Sequence, residues 1–182
     1  VLPLCFGQAT KVSGLLLDAD KTYRARLALG ARTTTGDAEG EVVERMAVPP
    51  LAAAQVVAVL AALTGPQDQL PRIVVHRLAL LALAGDALEF EVHCSKGTYV
   101  RTLGEDVARA LGTCGHLAAL RRTAVAAFEG RRSYTLAELE ALQGDEPALD
   151  GRLLPVDVAL QAWPAVHLDA AGDGRLLLGA AT

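Results

Sequence analysis

Cysteine is scarce in this chain. Cys5, Cys94 and Cys114 are an odd number at unrelated spacings. They compose neither a disulfide framework nor a zinc site, and reduced thiols in a cytoplasmic protein are the simple reading. Histidine is also sparse: His76, His93, His116 and His167 are dispersed, and no pair has metal-ligand spacing, so no metal is expected. No apolar run reaches membrane-spanning length without interruption, and no charged-then-apolar segment resembles a signal peptide. Positive charge is in deficit too, with 17 Lys and Arg against 21 Asp and Glu and a formal net charge of −4. That counts against RNA binding by bulk attraction, because phosphate contacts need lysine and arginine.

What is present suffices for one substantial domain with a small appendage: 182 residues, 52% of them hydrophobic. Charge is local. Arg121-Arg122 and Arg131-Arg132 lie close in sequence, while acidic residues collect around Asp18 to Asp20, Glu39 to Glu44 and Glu138 to Asp150. Each arginine pair reads as solvated surface, or as part of a basic face that guides RNA to one side of an acidic body.

Along the chain, Leu2 to Leu17 is mostly apolar, broken by Gly7 and Gly14. Thr22 to Leu29 alternates as a strand and ends at Gly30, and a turn cluster spans Gly36 to Gly40. Glu41 to Met46 suggests a short strand, residues 51 to 63 a helix, and Arg72 to Ala82 a strand rich in β-branched residues. A tight turn at Gly85-Asp86 leads into a strand over 88 to 94, which predicts a hairpin. His116 to Arg122 suggests a helix and Ala124 to Phe128 a short strand. Thr135 and Glu138 form a capping box for a helix over 136 to 143, Gly144 to Asp150 reads as loop, and Leu153 to Asp157 opens a last short element. Strands and helices mix without a regular βαβ repeat, which argues for an α+β fold with a mixed or antiparallel sheet.

The most telling stretch runs from Cys94 to Leu103. An alternating strand ends at Cys94, Ser95-Lys96-Gly97-Thr98 turns the chain, and Leu103, Val107 and Leu111 recur at helical spacing until Gly112. The turn gathers Lys96, Thr98, Tyr99, free backbone N–H groups and a first-turn arginine, Arg101. Helix N-termini attract anions, and an arginine fork holds a carboxylate or phosphate in a fixed plane. Such a set suits a site that orients a carboxylate beside a nucleic-acid base, although strand-turn-helix with one arginine is also plain architecture.

The residues "HCSKGTYVRTLGEDVARALG" followed by "GHLAALRRTAVAAF" closely resemble the bacterial tRNA pseudouridine synthase B (TruB) family, which modifies uridine-55 in the T-loop. A second block, "VLPLCFGQATKVSGLLLDADKTYRARLALGARTTTGDAEGEVV" over residues 1–43, and a third, "TLAELEAL" with "LLPVDVAL" over 135–160, resemble it in the same order. The resemblance implies the pseudouridine synthase fold, a central twisted sheet with flanking helices and an RNA-binding cleft. It implies a catalytic domain over 1–163. Residues 164–182 resemble the start of a C-terminal RNA-binding (PUA) domain, incomplete here.

Two family features are missing from these residues. Family members carry Gly-x-Leu-Asp-Pro just before the segment matching Val1, and its aspartate is catalytic; no aspartate here matches it, so it is expected upstream of Val1. Members also carry a basic, aromatic insertion that closes over the RNA, after the segment matching Leu63 to Gln69. Gln69 runs directly into Leu70-Pro71-Arg72, which places a junction near Gln69/Leu70.

The implied activity detaches uracil from its ribose, rotates it and reattaches it through carbon, without a cofactor. The base must first be flipped out of folded RNA. Arg101 resembles the arginine that pairs with the catalytic aspartate, and Tyr23 the tyrosine that stacks on the target base. Tyr99 and Leu120 resemble pocket-lining residues, and Lys96 and Arg121 are candidates for phosphate contacts. Asp37 resembles an aspartate near the RNA loop, and either accepts hydrogen bonds from a base edge or closes the Gly36–Gly40 turn. The implied partner is the T-arm of tRNA, with no membrane and no protein partner, for a monomer in the cytoplasm. Two other readings remain. One is a non-catalytic RNA-binding or tRNA-folding module, if the aspartate is truly absent. The other is the catalytic subunit of a guide-RNA-directed complex, against which the bacterial-like wording of the first two blocks argues.

Overall fold

Alternation of side chains builds the sheet. In β1 (Lys21–Leu29), Ala25, Leu27 and Leu29 are buried while Arg24 and Arg26 are exposed. In β6 (Ala87–Cys94) Leu88, Phe90, Val92 and Cys94 are buried and the residues between them are not. β5 (Ile73–Ala84) forms the expected hairpin with β6 across Gly85-Asp86, with register shifts between Val75 and Arg77 and between Leu80 and Ala82. In this computed structural model, which describes residues 1–67, 73–161 and 164, these strands join β4 (Gly65–Gln67) and β7 (Gly115–Val125) in a five-stranded sheet. Its order is β4-β5-β6-β1-β7, and every neighbouring pair is antiparallel. A smaller ribbon pairs β2 (Ala31–Thr33) with β3 (Val42–Arg45).

Two helices cover one face. α1 (Ser13–Asp18) precedes the sheet, and α2 (Ala53–Ala62) turns Val56 and Leu60 into the core. α3 (Val100–Ala110) buries Val100, Leu103 and Val107, the helical repeat visible in the sequence. Gly112, at φ +81°, takes the left-handed conformation that ends the helix. α3 lies close on β7, where a Cβ at Gly104 would stand 2.8 Å from Leu117 Cδ2. The α+β class and the antiparallel sheet are as expected. Among the described residues, no helix is long and apolar enough to cross a membrane.

Three local expectations need correction. His116 to Arg122 is strand, not helix, and runs on through Ala124 to Val125 as one long β7. Its alanine and leucine content favours helix, but β1 offers it an antiparallel partner from Lys21 to Leu29, and ladder pairing outweighs propensity. The expected loop at Gly144–Asp150 contains α5 (Glu146–Asp150), which starts because the Asp145 carboxylate accepts from Ala148 N at 3.0 Å. The helix expected over 136–143 is the shorter α4 (Leu136–Glu140), capped by Thr135 and Glu138 as anticipated. The junction near Gln69/Leu70 and, apart from Pro164, the block 164–182 lie outside the described residues.

Candidate active site

The turn between β6 and α3 is clamped to β5. Ser95 N donates to Val74 O at 2.9 Å, and Ser95 Oγ accepts from Val74 N at 2.8 Å. Thr98 Oγ1 closes the turn onto Ser95 O at 3.0 Å, with Gly97 at φ +79°. The start of α3 is therefore fixed to the sheet, and Arg101 with it.

A second turn faces it. After β2, Thr33 Oγ1 donates to Asp37 O at 2.7 Å, and Leu117 N donates to Gly36 O at 2.9 Å, stitching the turn to β7. Gly36, at φ +72°, runs against α3, where an added Cβ would lie 3.4 Å from Arg101 Cβ. The positive φ is what calls for glycine here, since 3.4 Å is an ordinary van der Waals contact. The Asp37 carboxylate thus sits over the first turn of α3. Arg101 Nη1 donates to Asp37 Oδ2 at 2.7 Å. Asp37 Oδ1 accepts from Thr35 Oγ1 at 2.5 Å and from Glu39 N at 3.1 Å. The Thr35 hydroxyl, the Glu39 amide and then the Arg101 guanidinium hold the Asp37 carboxyl below the ordinary carboxylate range. Asp37 therefore closes its turn and also binds the arginine.

Asp37, Arg101, Leu117 and Leu120 line one open cleft. Leu120 is 44% exposed although it belongs to a strand opposite buried Ala25. Tyr23 lies two positions along β1 on that same face, half-buried against the core. An exposed leucine, a tyrosine and an arginine–carboxylate pair can together receive a flat, partly polar ring. Tyr99, just before α3, is 71% exposed.

The two candidates for phosphate contacts stand outside the lining of this cleft. Lys96 Nζ is bound to Asp18 Oδ1 at 2.6 Å. Arg121 is exposed opposite Arg24, on the other face of β7 from Leu120. Burial pushes the Cys94 thiol up, so it supplies no thiolate at neutral pH. Thr35 was not singled out in the sequence, although a hydroxyl two residues before an aspartate in a Gly-containing turn is the signal that could have found it. Nor was the group formed by Asp20, His76 and His93, whose donor atoms lie within 4.8 Å of one another.

Comparison with known proteins gives a consistent picture. The family described as "TruB family pseudouridylate synthase (N terminal domain)" matches residues 1–74, and "tRNA pseudouridylate synthase B C-terminal domain" matches residues 101–161. The tRNA pseudouridine synthase B of Cupriavidus metallidurans is 46% identical over 210 residues, covering 98% of this chain and 66% of that protein. That of Nitrosococcus oceani is 42% identical, covering 93% of this chain and 65% of its own length. The chain thus spans about two thirds of the length of these relatives. The 210-residue alignment exceeds this chain's 182 residues, so the Cupriavidus protein carries additional residues inside the matched span. Among solved structures, the archaeal box H/ACA sRNP Nop10-Cbf5 complex contains a chain matching with a TM-score of 0.66 at 25% identity, over 83% of this chain and 45% of that one.

Proposed function

The chain belongs to the TruB family of pseudouridylate synthases, and on that footing we propose that it carries the catalytic domain of an isomerase converting uridine-55 in the T-loop of tRNA to pseudouridine. The target uridine flips out of the T-arm into the cleft beside Asp37 and Arg101. Tyr23 stacks on the freed base, and Leu120 and Tyr99 wall the pocket against water. Uracil is detached, rotated and reattached through carbon within that pocket, so neither an oxidant nor a second substrate is required.

The single observation that carries this reading is the Arg101–Asp37 pair at the mouth of an open cleft on the sheet face that bears Tyr23. Only one guanidinium nitrogen is engaged by Asp37 in this pair, which leaves N–H donors of the fork for a second carboxylate. The resemblance places that carboxylate just before Val1. Val1 O accepts from Arg122 Nε at 2.7 Å, and Arg122 stands opposite Tyr23. A segment joined there enters beside the cleft, which supports the assignment. The Cupriavidus relative carries additional residues within the matched span, as an insertion near Gln69 would give.

Lys96 and Arg121 contact backbone phosphates in this reading, Lys96 by exchanging Asp18 for a phosphate. The test is pseudouridine formation by the full-length protein in a T-arm stem-loop, alongside the same substrate with uridine-55 replaced by cytidine. Conversion confined to the uridine substrate supports the proposal. Tight binding of both without conversion would make the protein an RNA-binding or tRNA-folding module instead.

A further inference from the structure

Away from the cleft, three side chains from three separate segments converge on one point. Asp20 precedes β1, His76 lies on β5 and His93 on β6. Asp20 Oδ2 is 3.0 Å from His76 Nε2 and 3.9 Å from His93 Nε2, and the two imidazole centroids are 5.0 Å apart. His93 alternates with buried Val92 and Cys94, so it stands on the sheet face opposite the core. The group is therefore not part of the Arg101–Asp37 cleft.

Neighbouring cations do not neutralise Asp20. Lys21 Nζ turns back to the carbonyls of Leu17 and Ala19, Lys96 is held by Asp18, and Arg77 by Glu91. Among the described residues, the side chains within 4 Å of the Asp20 carboxylate that could carry a positive charge are the two imidazoles alone. One carboxylate oxygen and two imidazole nitrogens are a donor set for a borderline-soft divalent ion, whereas magnesium and calcium prefer oxygen alone. Bonds of about 2.0–2.2 Å require donor atoms roughly 3.0–3.5 Å apart. The Asp20–His76 separation already meets this, Asp20 and His93 at 3.9 Å need to close by about 0.4–0.9 Å, and the two imidazole donors, within 4.8 Å, by no more than about 1.8 Å. Side chains 37–38% exposed can make that adjustment by rotation, and their exposure leaves a coordination position open to water.

We propose that Asp20, His76 and His93 form a zinc site that clips the segment before β1 to the β5–β6 hairpin. The ion ties the strand end leading to Tyr23 onto the hairpin, and it takes no part in base isomerisation.

The experiment is calorimetric titration of Zn²⁺ into metal-stripped full-length protein, with thermal unfolding and the visible spectrum of the Co²⁺ form recorded in parallel. One ion per chain, a raised Tm and a tetrahedral or five-coordinate Co²⁺ band are expected, with no response to Mg²⁺. Loss even of an outer-shell partner typically weakens a metal site by about 10–100-fold, so His76→Ala, His93→Ala and Asp20→Asn should each weaken binding at least that much. His76 is exposed, so its variant keeps the apo Tm and separates metal binding from folding. Cys5→Ser should bind as the parent does. Unchanged affinity in His76→Ala and Asp20→Asn, or loss of binding in Cys5→Ser alone, overturns the site. Because turnover on the T-arm is expected with and without Zn²⁺, failure of the isomerase reading and failure of the zinc site are separable.

Discussion

Arg101 Nη1 and Asp37 Oδ2 meet at 2.7 Å across 64 residues of sequence. Two turns make that meeting possible, one pinned to β5 through Ser95 and the other to β7 through Gly36. The arginine is thus held by its carboxylate partner as well as by its helix. With its guanidinium half-exposed, it remains open to a further ligand.

Replacing that arginine tests the fork rather than the charge. Arg101→Lys keeps a cation but not a planar pair of donors. If the fork positions a catalytic carboxylate, both Arg101→Lys and Arg101→Ala should lower single-turnover pseudouridine formation by about 100-fold or more, since small misplacements at a reacting centre cost that much. Binding of the T-arm should persist in both. Lysine restoring most of the turnover would sink the fork argument.

Tyr23 separates ring from hydroxyl. Stacking of a base on an aromatic ring contributes about 1–3 kcal/mol, so Tyr23→Ala should weaken binding of a flipped-out base analogue by roughly tenfold to hundredfold. Tyr23→Phe should retain that affinity, because the ring stays half-buried in the same packing. Fluorescence titration with a T-arm carrying the analogue at position 55 decides it. Equal affinity for the alanine variant means that the ring does not receive the base.

Asp37 predicts a pH effect whose sign is fixed. Its folded-state carboxyl titrates below the model-peptide value of 3.8, through the Thr35 hydroxyl first, then the Glu39 amide and the Arg101 guanidinium. A depressed carboxylate adds stability that is fully present above its unfolded-state pKa and is lost as pH falls through the folded value. The site therefore keeps its anion through neutral and mildly acidic pH. In a carbon-detected NMR titration, Thr35→Val should move the Asp37 midpoint up toward 3.8. An Asp37 midpoint indifferent to Thr35 would contradict this assignment.

Local signals made much of this fold readable from sequence. β1, the β5–β6 hairpin, the start of α3 and the Thr135–Glu138 cap all depend on alternation, turn residues or capping within a few positions, and each stands where expected. β7 is not legible locally because its partner, β1, lies about ninety residues upstream, and local composition carries no trace of that ladder. The site divides in the same way. Arg101 was legible as a first-turn arginine, but its contact with Asp37 depends on where the β2 turn crosses α3. Linear spacing gives no sign that the histidines meet. Folding the chain at Gly85-Asp86 and allowing for the register shift at His76 brings His76 beside His93, which spacing rules for a single helix or loop do not register.

The seat of α3 can be tested without touching the cleft. Gly115 begins β7 where a Cβ would stand 2.9 Å from Ala108 Cβ and 2.9 Å from the Ala28 carbonyl. One neighbour is the buried face of α3 and the other is sheet backbone, so neither yields by a simple rotamer change. Gly115→Ala should cost about 1–3 kcal/mol, the usual range for overpacking a well-filled core. Gly112→Ala is the control. It meets no atom within 4 Å but forces alanine to φ +81°, at a cost of about 1 kcal/mol. Both should lower the denaturation midpoint, but only Gly115→Ala pushes α3 off β7 and carries Arg101 away from Asp37. Turnover per folded molecule should therefore fall in Gly115→Ala and hold in Gly112→Ala. Equal turnover in the two would show that α3 can shift on β7 without disturbing the Arg101–Asp37 pair.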